Sequence, residues 1–193
     1  RLRSPRRPGF WRRLPNWSLL DSFLTRMNVA ILLWDGVDLL TFAGPAQVFS
    51  EAGDGSACYV YTVADSRYSI VSQNFLEITP EYALHECPRP EVVVIPAGGV
   101  VYVRQRQGLL HWLREAVQAA RVILAVSPGD EILTAAGVLM HGEAETGMVE
   151  KVIVARDAPG AIEAAIQIVT RLCGEGVGRE TARRMERCAG DSG

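Results

Sequence analysis

The stretch that decides the fold runs from Arg121 to Leu139, RVILAVSPGDEILTAAGVL. Val122 to Val126 is an unbroken apolar run that reads as a buried strand. It stops at Ser127-Pro128-Gly129, and the pattern predicts an apolar helix immediately afterwards. Strand, sharp turn and helix is the arrangement on which many α/β enzymes mount a nucleophile, because the turn pushes one side chain out above the sheet. The side chain in that turn is Ser127.

Working outward, the same strand-then-helix rhythm repeats. Val29 to Leu33 is a continuous apolar run of the kind found in a parallel strand covered on both faces. Asp35-Gly36 makes a turn. Leu39 to Ser50 reads as a helix, with Pro45 marking its first turn or a break within it. Tyr59 to Val63 is a second strand. Tyr68–Val71 and Leu76–Ile78 form a hairpin around Gln73-Asn74. Val92 to Ile95 is a buried strand ending in Pro96-Ala97-Gly98-Gly99. Leu109 to Ala120 has helical spacing. Val149 to Ala155 is a strand, Ala161 to Leu172 a helix closed by Gly174, and Glu180 to Arg187 a short terminal helix. Alternating apolar strands and helices predict an α/β three-layer sandwich with a mostly parallel, flavodoxin-like sheet. In such sheets ligands bind at the carboxyl ends of the strands. The turns after Leu33, Ile95 and Val126 therefore belong to one rim.

Composition narrows the function classes. The 193 residues suffice for one domain with a substantial core, and 48% hydrophobic with 22% charged is ordinary for a globular protein. Residues 1–26 carry seven arginines against Asp21, so the net charge of −2 leaves the remainder at −8. An acidic body argues against a nucleic-acid-binding face. No apolar stretch is long enough to cross a membrane. Cys58, Cys87, Cys173 and Cys188 form no CxxC pair, which points to reduced thiols and a cytoplasmic protein. His85, His111 and His141 stand far apart, and no metal site is expected. There is no GxGxxG after the first strand and no GxxxxGK[ST], so no nucleotide cofactor is expected either.

The Arg- and Pro-rich segment 1–26 reads as lying outside the fold, which leaves a domain over 27–188 and a tail over 189–193. A disordered basic tail, a targeting peptide and a misplaced start remain open for that segment, the first and last being favoured. Trp11, Trp17, Leu19, Leu20 and Phe23 offer a weaker alternative, a short amphipathic helix.

Two rim features admit a structural and a chemical reading. Ser-Pro-Gly-Asp-Glu at a helix start satisfies capping physics, with Ser127 as N-cap, Pro128 at the first helical position and acids in the first turn. The other reading makes Ser127 a nucleophile, but a serine hydroxyl needs an adjacent base and none is evident in sequence. The cap reading is preferred. Gly98-Gly99 is read first as a tight turn needing positive φ, and second as a pair of N–H donors for an oxyanion.

Several segments together resemble the ThiJ/PfpI superfamily, whose fold is that of class I glutamine amidotransferase domains. They are NVAILLWDGVDLLTFAGPAQVFS, EVVVIPAGG, ILAVSPG followed by ILTAAGVL, and APGAIEAAIQIVTRLCGEGVGRETARRM, in family order over most of 27–188. The A-G-P-A-Q-V-F run with the P-A-G-G turn is similar to the branch that holds isonitrile hydratases and the sensor-like domains fused to AraC-type regulators. The resemblance implies that the family's nucleophilic cysteine falls at Ser127, and its acidic partner at Thr41. A Thr-His pair found in many members falls at Thr146-Gly147. The oxyanion-site turn is kept at Gly98-Gly99. Compared with the family, the chain is short between residues 140 and 160.

The expectation is therefore a degenerate or ligand-binding member without cysteine chemistry, leaning away from catalysis. Its pocket would be lined by Asp35, Thr41, Gly98, Gly99, Ser127 and Gly129 and would take a small polar or carbonyl-bearing molecule on backbone N–H groups at the elbow helix N-terminus. The second expectation is a hydrolase or isonitrile hydratase-like lyase using Ser127, with His141 or Glu143 as base. The third is a sensor or interaction module, a homodimer built partly on the apolar helix Leu109–Ala120. Neither a nucleic-acid nor a membrane partner is expected.

Overall fold

A computed structural model describes residues 26–139 and 151–190, with side chains as far as Arg187. The basic segment up to residue 25, His141, Glu143, Thr146-Gly147 and most of the tail lie outside the described residues. The elements run β1 Met27–Leu32, α1 Leu39–Glu51, β2 Cys58–Ala64, β3 Ile70–Ser72, β4 Leu76–Ile78, β5 Tyr82–Ala83 and β6 Val92–Ile95. There follow α2 Val100–Val103, α3 Gln107–Ala119, β7 Val122–Val126, α4 Asp130–Ala135, β8 Val152–Ala155, α5 Ala158–Cys173 and α6 Glu175–Gly190.

Six strands form one sheet in the order β5-β2-β1-β6-β7-β8, and every neighbouring pair is parallel. Every residue of β6 and β7 is buried, as a strand covered by helices on both faces must be. One group of helices is α1, α5 and α6, packed on one another, and the other is α2, α3 and α4. The chain leaves β1 toward β2 on one side and returns to β6 on the other. This makes the β1/β6 boundary the topological switch point, where α/β sheets open a crevice.

Several elements differ from the sequence expectation. The hairpin β3–β4 turns at Gln73 and Asn74, both with positive φ, as expected from their side-chain type. β5 was not foreseen: two residues leave no periodicity to read, and the strand is placed by tertiary contact, Tyr82 meeting Tyr61 edge-on at 5.3 Å. α2 was missed for the same reason of length. α5 starts three residues earlier than expected because Asp157 caps it, accepting from Gly160 N–H at 2.8 Å. α6 extends to Gly190, past the domain end expected at 188. Leu109, Leu110 and Leu113 of α3 are at most 3% exposed, packed into the chain's own core. That apolar face is therefore packed into the fold. Among the described residues no helix is long and apolar enough to cross a membrane.

Candidate functional site

The rim is organised around the turn after β6. The loop 33–38 after β1 and the turn 96–99 are zipped together by an antiparallel bridge between Val37 and Gly98. Asp38 N–H donates to the Ala97 carbonyl at 2.9 Å, and Gly99 N–H to the Gly36 carbonyl at 3.0 Å. Gly98 has φ of +132°, and a Cβ there would come within 2.4 Å of the Gly36 oxygen. Glycine is a steric requirement of this junction. Of the two N–H groups in the pair, that of Gly99 is already used by Gly36.

Thr41 lies in the first turn of α1, 5% exposed. Its N–H is capped by Asp38 Oδ1 at 3.1 Å. Its hydroxyl donates to the Asp38 carbonyl at 3.0 Å and accepts from Ala97 N–H at 3.0 Å. The hydroxyl is thus committed to joining α1 to the Pro96–Gly99 turn, and no hydrogen bond joins Thr41 to Ser127.

The elbow itself differs from the cap reading. The helix begins at Asp130, its N-cap position is Gly129, and no side chain caps it. Ser127 stands two residues before the cap, exposed, and among the described residues its hydroxyl makes no hydrogen bond. Its backbone N–H donates to the Ala155 carbonyl at 2.9 Å, holding the elbow against the end of β8. The turn contains a cis Ser127–Pro128 peptide and closes with Gly129 N–H on the Val126 carbonyl at 2.6 Å.

Gly129 explains where the helix starts. A Cβ there would lie 2.2 Å from the Pro96 oxygen, 2.8 Å from that of Val126 and 3.0 Å from that of Ile95. The chain must pass this crowded point before it can coil. The helix is also far shorter than the sequence suggests. It spans six residues and ends in a Schellman motif, Gly137 N–H bonding Thr134 and Val138 N–H bonding Leu133, both at 2.9 Å. The N–H groups of Gly129, Glu131 and Ile132 are all taken by nearby carbonyls, so the expected row of backbone donors is largely spent.

Asp35 has a structural task. Its Oδ1 accepts from Val71 N–H at 2.9 Å, Gly36 N–H donates to the Val71 carbonyl at 2.8 Å, and Ser72 Oγ donates to the Val37 carbonyl at 2.7 Å. Gln73 Nε2 adds a bond to Asp38 Oδ2 at 2.7 Å. The hairpin is strapped over the loop by these four contacts. Asp35 also borders a cavity of about 100 Å³ with Trp34, Asp65, Tyr68 and Arg106, and Ser127 does not line it.

The structure therefore brings Thr41, Gly98, Gly99 and Gly129 together on the Pro96–Gly99 turn, and it ties the Asp35 side chain to the β3–β4 hairpin. One residue that sequence reasoning took only as a first-turn acid stands out. Asp130 has its Oδ1 buried without a hydrogen-bond donor. A buried carboxylate oxygen of this kind is costly, and nothing in the residue pattern marks it. Beside α4, Arg104 pairs with Glu131 at 2.9 Å. No group of three or more His, Cys, Asp or Glu is arranged to hold a metal ion among the described residues.

This architecture is matched by known proteins. A model of the DJ-1/PfpI family matches residues 27–165. The chain belongs to the DJ-1/PfpI family. It is similar to the isonitrile hydratase of Pseudomonas putida, 27% identical over 177 residues that cover 83% of this chain and 76% of the relative. It is also similar to an uncharacterised protein from the cpoL 5′ region of Streptomyces lividans, 28% identical over 134 residues, covering 68% of this chain and 95% of the relative.

Solved DJ-1/PfpI structures share the fold. A ThiJ/PfpI family protein from Pseudomonas syringae superposes with a TM-score of 0.74 at 21% identity, covering 83% of this chain and 75% of that one. Drosophila melanogaster DJ-1beta gives 0.70 at 19% identity, covering 83% and 97%. At these identities the likeness establishes architecture, and the chemistry has to be argued from the rim of this DJ-1/PfpI chain itself.

Proposed function

We propose that this DJ-1/PfpI domain binds a small carbonyl-bearing molecule at the Ser127 elbow without performing covalent chemistry on it. The observation that carries the reading is the state of Ser127. It is exposed at the carboxyl end of β7, and no acid or imidazole among the described residues holds its hydroxyl. A serine hydroxyl is almost wholly protonated at neutral pH and needs such a base to attack. Thr41, at the position where the resemblance puts the family's acid, has its hydroxyl locked between Asp38 and Ala97. An exposed hydroxyl that both donates and accepts suits a neutral carbonyl or amide ligand.

The experiment is an assay for isonitrile hydration and for hydrolysis of small amides, run beside amide-resonance titration with N-substituted formamides. Shifts around Ser127 to Asp130 with no turnover are expected. Turnover that Ser127→Ala abolishes would overturn the non-catalytic reading.

A catalytic reading, as hydrolase or isonitrile hydratase-like lyase, draws on two observations. The Ser127 hydroxyl is not consumed by capping, and Asp130 keeps a buried oxygen without a donor close by in the chain. In that reading Ser127 attacks or positions water, and Asp130 takes up the proton. The resemblance to the Pseudomonas putida isonitrile hydratase makes an isonitrile the first substrate to try.

A further inference from the structure

Among the described residues, every large apolar side chain that stands exposed lies on one of three segments, and all three are joined to the loop 33–38. The first segment is the β3–β4 hairpin with its approach, which exposes Tyr68, Val71 and Phe75. Val71 N–H holds it to Asp35 Oδ1 at 2.9 Å, and Tyr68 borders the same cavity as Asp35. The second is the first turn of α1, where Leu40 follows the cap residue Asp38 by two positions. The third is α2, which exposes Tyr102 and starts directly after Gly99, whose N–H is held by the Gly36 carbonyl. The outer faces of α3, of α5 and of α6 as far as Arg187 carry no such residue. Single exposed apolar residues are ordinary, but their collection on one rim is not.

The size and charge of this patch narrow what covers it. Phe75, Tyr102 and Tyr68 are 67%, 80% and 86% exposed. At about 150–250 Å² for a whole aromatic side chain, these three alone leave roughly 450 Å² of apolar surface in water. A standard interface takes about 800 Å² from each partner, about 56–65% of it apolar, so roughly 450–520 Å² of apolar surface suffices. At the edges of the patch Arg67 pairs with Glu86, Arg104 with Glu131 and Arg106 with Asp65. These pairs leave no field of one sign to select a charged partner, and Glu77 of β4 adds a carboxylate, the wrong sign for an anionic membrane or a nucleic acid. An apolar face with neutralised edges accepts its own copy without a clash of like charges, as a two-fold contact requires.

We propose that this rim patch is the face on which two copies of the chain associate about a two-fold axis. Each copy covers the hairpin, the start of α1 and α2 of the other, with Phe75 and Tyr102 as the anchors. The contact is independent of any chemistry at Ser127.

Sedimentation velocity of the full chain from low to high micromolar concentration is the test, with hydrogen exchange to locate the contact. A reversible monomer–dimer equilibrium is expected, and amides of the three segments should gain protection as concentration rises. Phe75→Ser and Tyr102→Ser, both at exposed positions, should each weaken the dimer about thirty-fold or more, as loss of an interface anchor does. Their far-UV dichroism and urea midpoints at low concentration should match the wild type. His111→Ala, at an exposed position of α3, should leave the dissociation constant unchanged. A chain that is monomeric at every concentration would overturn the proposal. So would a dimer that survives both anchor substitutions, or one whose exchange protection falls outside the three segments.

Discussion

The Thr41 hydroxyl accepts the Ala97 backbone N–H at 3.0 Å while donating to the Asp38 carbonyl at 3.0 Å. One buried side chain thereby joins the first turn of α1 to the turn after β6, across the switch point of the sheet. A carboxylate at this position would accept from Ala97 but would face the Asp38 carbonyl with no proton to offer. The site is thus built for a hydroxyl. Thr41→Val keeps the shape and removes both bonds, leaving a buried N–H unpaired, and should cost about 1–3 kcal/mol in urea unfolding. A loss below about 0.5 kcal/mol, the range of an ordinary surface change, would show that the bridge contributes nothing.

Gly129 passes so close to three carbonyl oxygens that the smallest side chain overlaps them, the worst approach being 2.2 Å to Pro96. Gly129→Ala should destabilise the fold by about 3 kcal/mol, at the upper end of what overpacking costs. It should also disturb Ser127, which rides on the same turn. Equal midpoints for the variant and the wild type in thermal unfolding would contradict the close approach.

Ser127 and Asp157 offer a paired comparison, since both precede helices but only Asp157 caps one. Asp157→Ala should lose about 1 kcal/mol with the bond to Gly160. Ser127→Ala should stay within about 0.5 kcal/mol, as an exposed group without a partner. Chemical denaturation of both variants under one buffer is the check, and a comparable loss for Ser127→Ala would restore its role as a cap.

The Cys173 thiol makes stability depend on pH in a definite direction. Cys173 is held down to about 7 in the folded chain by Cys58 and the Arg121 guanidinium, against burial and Glu91. A depressed folded value means that the unfolded chain binds more protons between pH 7 and the ordinary thiol value of about 8.5. Stability should therefore rise across that window and be lost again as pH falls through 7. Cys58 has the opposite sign and erodes stability above it, because only its unfolded thiol ionises there. Partial exposure of Cys173 screens the effect to well under ~1.4 kcal/mol per pKa unit. Subtracting the unfolding curve of Cys173→Ser isolates it, and a wild-type stability that falls from pH 7 to 8.5 relative to the variant would refute the sign.

Much of the architecture follows from local pattern. Val92–Ile95 and Val122–Val126 are strands at the residues read from the sequence, because four or five consecutive apolar residues between turn formers have no other soluble use in an α/β chain. The Gln73-Asn74 hairpin and the family resemblance, through the A-G-P run and the P-A-G-G turn, were legible for the same reason: they are written in adjacent residues. The site was legible only as a set of positions.

Whether Ser127 caps a helix, whether Gly99 keeps a free N–H, and whether Asp35 binds a hairpin are all decided by segments far apart in the chain. Local sequence carries backbone preference and periodicity, which act over a few residues. Hydrogen-bond partnership depends on which loops the sheet order brings to the same end. In this chain that order put Pro96 against Gly129 and Val71 against Asp35.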